Sequence, residues 1–184
     1  MPQKSHIFAT LSETGDAFIW DYTKHPTRPK TQETHPQLRL VGHSKEGYGL
    51  DWNSHVEGRL LTAAFDGHLI LWDVGAASAL NQELAPLSDI NSEQEDINDA
   101  KWHKFDLNLY AAAHDGGTLS FWDSRGKEAM NSFIAHNGDC IALDFNYHNS
   151  YLMASGASDK LVKVWDLRKP QTALMILAAH TFPI

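Results

Sequence analysis

"LLTAAFDGHLILWDV", residues 60–74, sets two short apolar runs on either side of Asp66-Gly67 and ends in Trp72-Asp73. Runs of this length, bounded by an Asp-Gly pair, predict two antiparallel strands joined by a tight turn. Such a turn needs positive φ, which glycine supplies without strain. A lone hairpin is marginal in water, so the stretch must belong to something larger, and the test is whether it recurs.

It does recur. Trp-Asp stands at Trp20-Asp21, Trp72-Asp73, Trp122-Asp123 and Trp165-Asp166, with 52, 50 and 43 residues between successive tryptophans. Each pair closes a short apolar run ("DAFIWD", "GHLILWD", "GGTLSFWD", "DKLVKVWD"), and another run precedes each ("IFATL", "LLTAA", "LYAAA", "YLMASG"). A second landmark is histidine: Gly42-His43, Ala135-His136 and Ala179-His180 each open a unit. Nine residues after the first two come Trp52 and Phe145, and 23 residues after them come Asp66 and Asp159. Four short strands per unit of roughly 40–50 residues predict a β-propeller blade.

The fold expected is therefore all-β. Three full blades at about 47–91, 97–135 and 141–179 follow most of a fourth at about 7–42. Closed propellers have typically 4–8 blades, so the chain is expected to be a segment of a larger, seven-bladed ring rather than a complete four-bladed one. The third unit departs from the pattern. It has Ser92-Glu93 in place of Gly-His, Ala111 in place of a hydroxyl residue, and one residue too many between Asp115 and Trp122. A looser blade is expected there. Two insertions, "TKHPTRPKTQETHP" (23–36) and "VGAASALNQELAP" (74–86), are expected to be surface loops. Residues 83–99 carry six acids (Glu83, Asp89, Glu93, Glu95, Asp96, Asp99) and no base before Lys101, which suits a solvated loop or a basic partner.

Bulk composition narrows the function. The 184 residues carry a formal net charge of -8, which argues against a nucleic-acid surface as the main partner. A single cysteine, Cys140, allows no internal disulfide and gives no metal spacing. The longest apolar run, "ALMILAA" (173–179), is too short to span a bilayer, and the first residues lack a signal-peptide core. The chain reads as soluble and intracellular. His25, His35, His55, His103, His114 and His148 show no metal-ligand spacing. No metal, cofactor, membrane or small-molecule substrate is expected.

The repeated residues resemble the WD-repeat family along nearly the whole chain. That resemblance implies a polar chain from loop histidine through strand hydroxyl and turn aspartate to the indole N–H. Its members here would be His43, Thr62, Asp66 and Trp72, then His136, Ser155, Asp159 and Trp165. A His–Asp–Ser/Thr set also suits nucleophilic catalysis, which needs one nucleophile exposed in a pocket. Two copies at one spacing, each with a tryptophan in register, favour scaffolding, and no enzyme is expected.

More specific strings, "DAFIWDYTKHPTRP" and "GHSKEGYGLDWN", are similar to the retinoblastoma-associated, MSI-type histone-binding WD-repeat proteins. This similarity implies a non-enzymatic nuclear scaffold shared among chromatin assembly factor, histone deacetylase corepressors, Polycomb-type methyltransferase and histone acetyltransferase. A histone deacetylase corepressor is the foremost of these. Core histones would present a basic tail to the upper face, where Glu46 and Tyr48 match the family's positions. A carboxylate beside an aromatic suits lysine or arginine. Gly47 and Gly49 are expected to turn the backbone into the strand. The corresponding positions of the next two blades are Asn98, where the family has an acid, and Ile141; Asp99 and Asp139 are nearby substitutes. The family's histone-helix groove uses elements outside this sequence. The alternative is a substrate receptor of a cullin-type ubiquitin ligase. Trp122-Asp123-Ser124-Arg125 and Trp165-Asp166-Leu167-Arg168 fit the Trp-Asp-x-Arg box of such receptors, with Arg125 and Arg168 facing the ligase adaptor.

Overall fold

A computed structural model describes residues 1–28, 35–77, 83–92, 96–178 and 180–184. Its strands form four four-stranded sheets. The first sheet holds β1 (Ile7–Leu11), β2 (Ala17–Asp21) and β3 (Leu38–Leu40); the second holds β4 (Gly49–Trp52), β5 (Arg59–Ala63), β6 (His68–Asp73) and β8 (Ser88–Asn91). The third runs β9 (Ile97–Trp102), β10 (Leu109–His114), β11 (Thr118–Asp123), β12 (Ala129–Ile134). The fourth runs β13 (Cys140–Phe145), β14 (Leu152–Ala157), β15 (Val162–Asp166), β16 (Met175–Leu177). Each is a blade, and among the described residues no pairing joins the first sheet to the fourth. Among the described residues no helix is long and apolar enough to cross a membrane.

Burial explains the strand composition. β5 and β6 lie between two neighbouring sheets and are buried almost residue after residue, so they read as apolar runs rather than alternations. β12, on the outer edge, is exposed at all but one position. One core lies between each successive pair of blades. Ala17, Ile19 and Leu40 meet Leu60, Ile70 and Trp72; Leu61, Leu69 and Leu71 meet Ile97, Trp102 and Tyr110; Leu119 and Phe121 meet Leu143, Phe145 and Trp165. Trp72, Trp122 and Trp165 thus each pack toward the preceding blade, and truncating such a buried side chain costs roughly 3–5 kcal/mol. The Trp20 ring instead stacks on the half-exposed Phe8 at 6.3 Å.

Two features tie the blades together. On the inner strands, Asp51 accepts a hydrogen bond from the Trp102 N–H at 2.8 Å, and Asp99 from the Leu143 N–H at 3.1 Å. On the outer rim, part of the segment expected to be a plain loop (74–86) is a strand. β7 (Glu83–Leu84) runs back to the first sheet and pairs in parallel with Arg39 and Leu40. Arg39 bonds Asp16 at 2.7 Å and Glu83 at 3.3 Å, so an ion pair reinforces a two-residue ladder. Residues 29–34 and 78–82 of the two insertions lie outside the described residues.

Candidate functional site

The second and fourth blades carry the same polar chain. The Trp72 indole N–H donates to Thr62 Oγ1 at 2.8 Å, and Thr62 lies 2.8 Å from His43 Nε2. His43 Nδ1 faces both Asp66 oxygens at 3.1 and 3.2 Å. In the fourth blade Trp165, Ser155, His136 and Asp159 repeat this at 2.8, 2.8 and 3.1 Å. Burial lowers both histidine pKa values despite the opposing aspartates. The neutral ring then donates Nδ1–H to the carboxylate and accepts the hydroxyl proton at Nε2. Burial would raise Asp66, but the Ser44 N–H and His43 hold it below its ordinary value. Both hydroxyls are fully enclosed, without the access a nucleophile needs.

The third blade achieves the same contacts with different residues. Strand register pairs Tyr110 with Trp122, as Leu60 with Trp72 and Met153 with Trp165. Counting from these pairs puts Ala112, not Ala111, where Thr62 and Ser155 stand, and Gly116, not Asp115, where the turn aspartates stand. There is no extra residue; the turn aspartate has been replaced. The hydroxyl has moved directly across the ladder, since Ser120 pairs with Ala112. Trp122 donates to Ser120 at 2.7 Å, and Ser120 lies 2.6 Å from Nε2 of His114, at the end of β10. His114 is fully buried, its Nδ1 has no hydrogen-bond partner among the described residues, and burial pushes its pKa down to about 4. Glu93, opposite the lost loop histidine, lies outside the described residues.

The upper face comprises the loops entering β4, β9 and β13 and the turns after β5, β10 and β14. The second and third blades each set a residue at the entrance to the inner strand beside a turn residue. In the second blade Tyr48, 67% exposed, packs on Phe65 with ring centroids 5.5 Å apart. In the third, Asn98 takes their place and donates to Asp115 at 2.8 Å and to the Cys140 carbonyl at 3.0 Å. In the fourth, Ile141 is the exposed equivalent. Glu46 is exposed, and its carbonyl is fixed by the Phe65 N–H at 2.9 Å. Gly47 serves close approach rather than a turn of unusual handedness: a Cβ there would strike the Ala63 carbonyl and the Ala64 Cα. Gly49 likewise faces the Ala63 methyl and the Ala100 N–H; neither glycine has positive φ.

Glu13, Thr14, Lys45, Glu46, Phe65 and Asp96 line an open groove of about 560 Å³ at this place. It holds three carboxylates against one ammonium, and Lys45 is shared with Asp96 at 3.7 Å. Glu13 and Glu46 have no ion pair among the described residues. Asp99 lies apart from this face. It is buried, and its oxygens are taken by Lys101 at 2.8 Å and by the Ala100 and Leu143 N–H groups. Asp139 is exposed and caps the Gly116 N–H at 3.1 Å. The acids of 83–99 are dispersed rather than gathered in one loop, Glu83 meeting Arg39, and Asp89 meeting His68 at 2.6 Å. Glu95 lies outside the described residues.

Arg125 and Arg168 project from the lower face. Each folds back on the aspartate of its own Trp-Asp pair, with Nε 2.8 Å from Asp123 and 2.9 Å from Asp166. These side-chain bonds hold both carboxyls down to about 2. Arg168 also lies over the Tyr151 ring at 4.6 Å. Cys140 is buried and its thiol is pushed up to about 12 by burial, the setting of a structural rather than a reactive cysteine. Among the described residues no group of histidines, cysteines and acids could hold a metal ion.

Residues 127–166 match the WD domain, G-beta repeat family. The match runs from β12 through β15, so one sequence repeat supplies the outer strand of the third sheet and the three inner strands of the fourth. The chain therefore carries a WD repeat within an all-β set of propeller blades, which points to a scaffold role in protein–protein interaction.

Proposed function

We propose that this protein is a non-enzymatic histone-binding scaffold of a nuclear chromatin complex, a histone deacetylase corepressor foremost. The observation that carries the reading is the upper-face groove at Glu46 and Tyr48. Two carboxylates without ion pairs among the described residues, Glu13 and Glu46, line it with Phe65, on whose ring the exposed Tyr48 packs. A lysine or arginine side chain would gain charge-assisted bonds and an aromatic face there. The similarity of "GHSKEGYGLDWN" to the MSI-type proteins supports the same occupant. Asn98 and Asp115 satisfy each other, so the tail's main anchor falls on the second blade.

The test is titration of the protein with a fluorescent peptide of the histone H3 amino terminus at two salt concentrations. Glu46→Lys should weaken binding about tenfold or more and leave the melting temperature unchanged. Binding that is indifferent to Glu46→Lys and Tyr48→Ala would overturn the assignment. The second reading, a ligase substrate receptor, is favoured by Arg125 and Arg168, whose side chains are 73% and 62% exposed. Capture of a cullin adaptor, lost on joint Arg125→Ala and Arg168→Ala substitution, would establish it.

A further inference from the structure

The outer edges of the blades are treated unequally. β3 has its outer side covered by β7, through a two-residue parallel ladder and the Arg39–Glu83 ion pair. β12, three times as long as β7, has no strand on its outer side among the described residues. The Ala135 N–H bonds the Gly117 carbonyl at 2.8 Å, and Ile134 and Ser132 pair with Thr118 and Ser120. Bonds alternate along an antiparallel ladder, so the N–H and C=O of Ser132 and Ile134 point outward. Beside this edge, Leu109, Phe121, Met130, Asn131, Leu167 and Pro170 line a cavity of about 220 Å³ between the third and fourth blades. Met130 is 65% and Ile134 77% exposed. Lys127, just before the strand, and Lys169, beside Pro170, form no ion pair among the described residues; Glu128 adjoins the first, and Asp166, whose carbonyl accepts the Lys169 N–H, lies near the second.

We propose that β12 is a docking edge for an extended acidic–aliphatic segment of a partner protein. The segment adds as a fifth strand, seats one aliphatic side chain in the cavity, and sets its carboxylates toward Lys127 and Lys169. β7 displays the chemistry within this molecule, since its Glu83-Leu84 adds to Arg39-Leu40 by the same combination of main-chain pairing and charge. Main-chain bonds supply affinity in strand addition, and a flanking pocket supplies selectivity. This surface is distinct from the groove at Glu46.

The probe is a fluorescein-labelled hexapeptide of sequence DELVLT, followed by fluorescence polarisation with the full chain. Saturable binding is expected, weakened about tenfold by Ser132→Pro, which removes one outward N–H and leaves the inner ladder intact. Met130→Asp, a side-chain change only, should weaken it comparably, and Glu46→Lys should not. Absence of saturable binding, or affinity unchanged in both edge variants, would overturn the proposal. So would self-association without peptide that Ser132→Pro abolishes, because a second copy would then occupy the edge.

Discussion

The second and third blades build the same strand pairing on different polar wiring. In the second, His43 arrives from a loop outside the sheet, and Asp66 closes the chain and caps the Ser44 and His68 N–H groups at 2.8 and 3.1 Å. The loop, the turn and two strands are thereby locked by one carboxylate. In the third, His114 belongs to the sheet itself, Gly116 offers no carboxylate, and Nδ1 has no acceptor among the described residues. The indole is satisfied in both, so packing is preserved. What is missing among the described residues is a carboxylate joining the histidine to the turn, while the Asp115 N–H still bonds the Asp96 carbonyl at 3.1 Å. A network can thus be rebuilt around a tryptophan with the turn carboxylate left out of it.

The contrast can be broken at its strongest point. Asp66→Ala should cost roughly 3–4 kcal/mol in chemical denaturation, because three donors lose their acceptor. Asp115→Ala should cost less than about 1 kcal/mol, since only the Asn98 contact goes. Equal losses would mean that the two blades are wired alike after all.

Acid sharpens the comparison. Folded His114 stays neutral down to about pH 4, whereas its ordinary value is 6.5. Only the unfolded chain takes up this proton between those values, so stability is full above pH 6.5 and falls toward pH 4. At about 1.4 kcal/mol per pH unit, the loss approaches ~3 kcal/mol. His43 and His136 act in the same direction. Stability measured from pH 7 to 4 should fall less steeply in His114→Asn, and an unchanged slope would remove His114 from the account.

The smallest effect concerns the hairpin turns. Gly67 adopts φ +76°, and Lys160, at the same register in the fourth blade, adopts +69°. Lys160→Gly should raise stability by about 0.5–1 kcal/mol, seen as a higher melting temperature. A decrease would show that the lysine side chain offsets its own strain.

The blade pattern was legible because Trp-Asp and the His-to-Asp interval are fixed by the strand geometry that buries the indole. The third blade's wiring was not, because an aspartate stands one residue from the expected place. Counting back from Asp115 shifts the frame by one, making Ala111 seem the lost hydroxyl and a residue seem inserted. Counting eight residues back from Trp122 lands on His114, as it lands on Ala64 and Ala157 from Trp72 and Trp165. Ser120 carries no signal of its own, since serine on a strand is ordinary. β7 was invisible for another reason: two residues cannot show a period. At the upper face, Glu46 and Tyr48 were readable as exposed loop residues. The burial of Asp99 was not, because it depends on the Leu143 N–H, 44 residues away.

The strap formed by β7 also has a meaning in time. Arg39 meets Glu83 across 44 residues of chain, all of which must leave the ribosome before the first blade can gain its fourth strand. At about 5–20 residues per second, that is a wait of roughly 2–9 s. For that interval the nascent first blade shows an open edge at Leu38–Leu40 and must avoid pairing with other chains. Its completion is thereby made conditional on the synthesis of β4, β5 and β6 of the second blade.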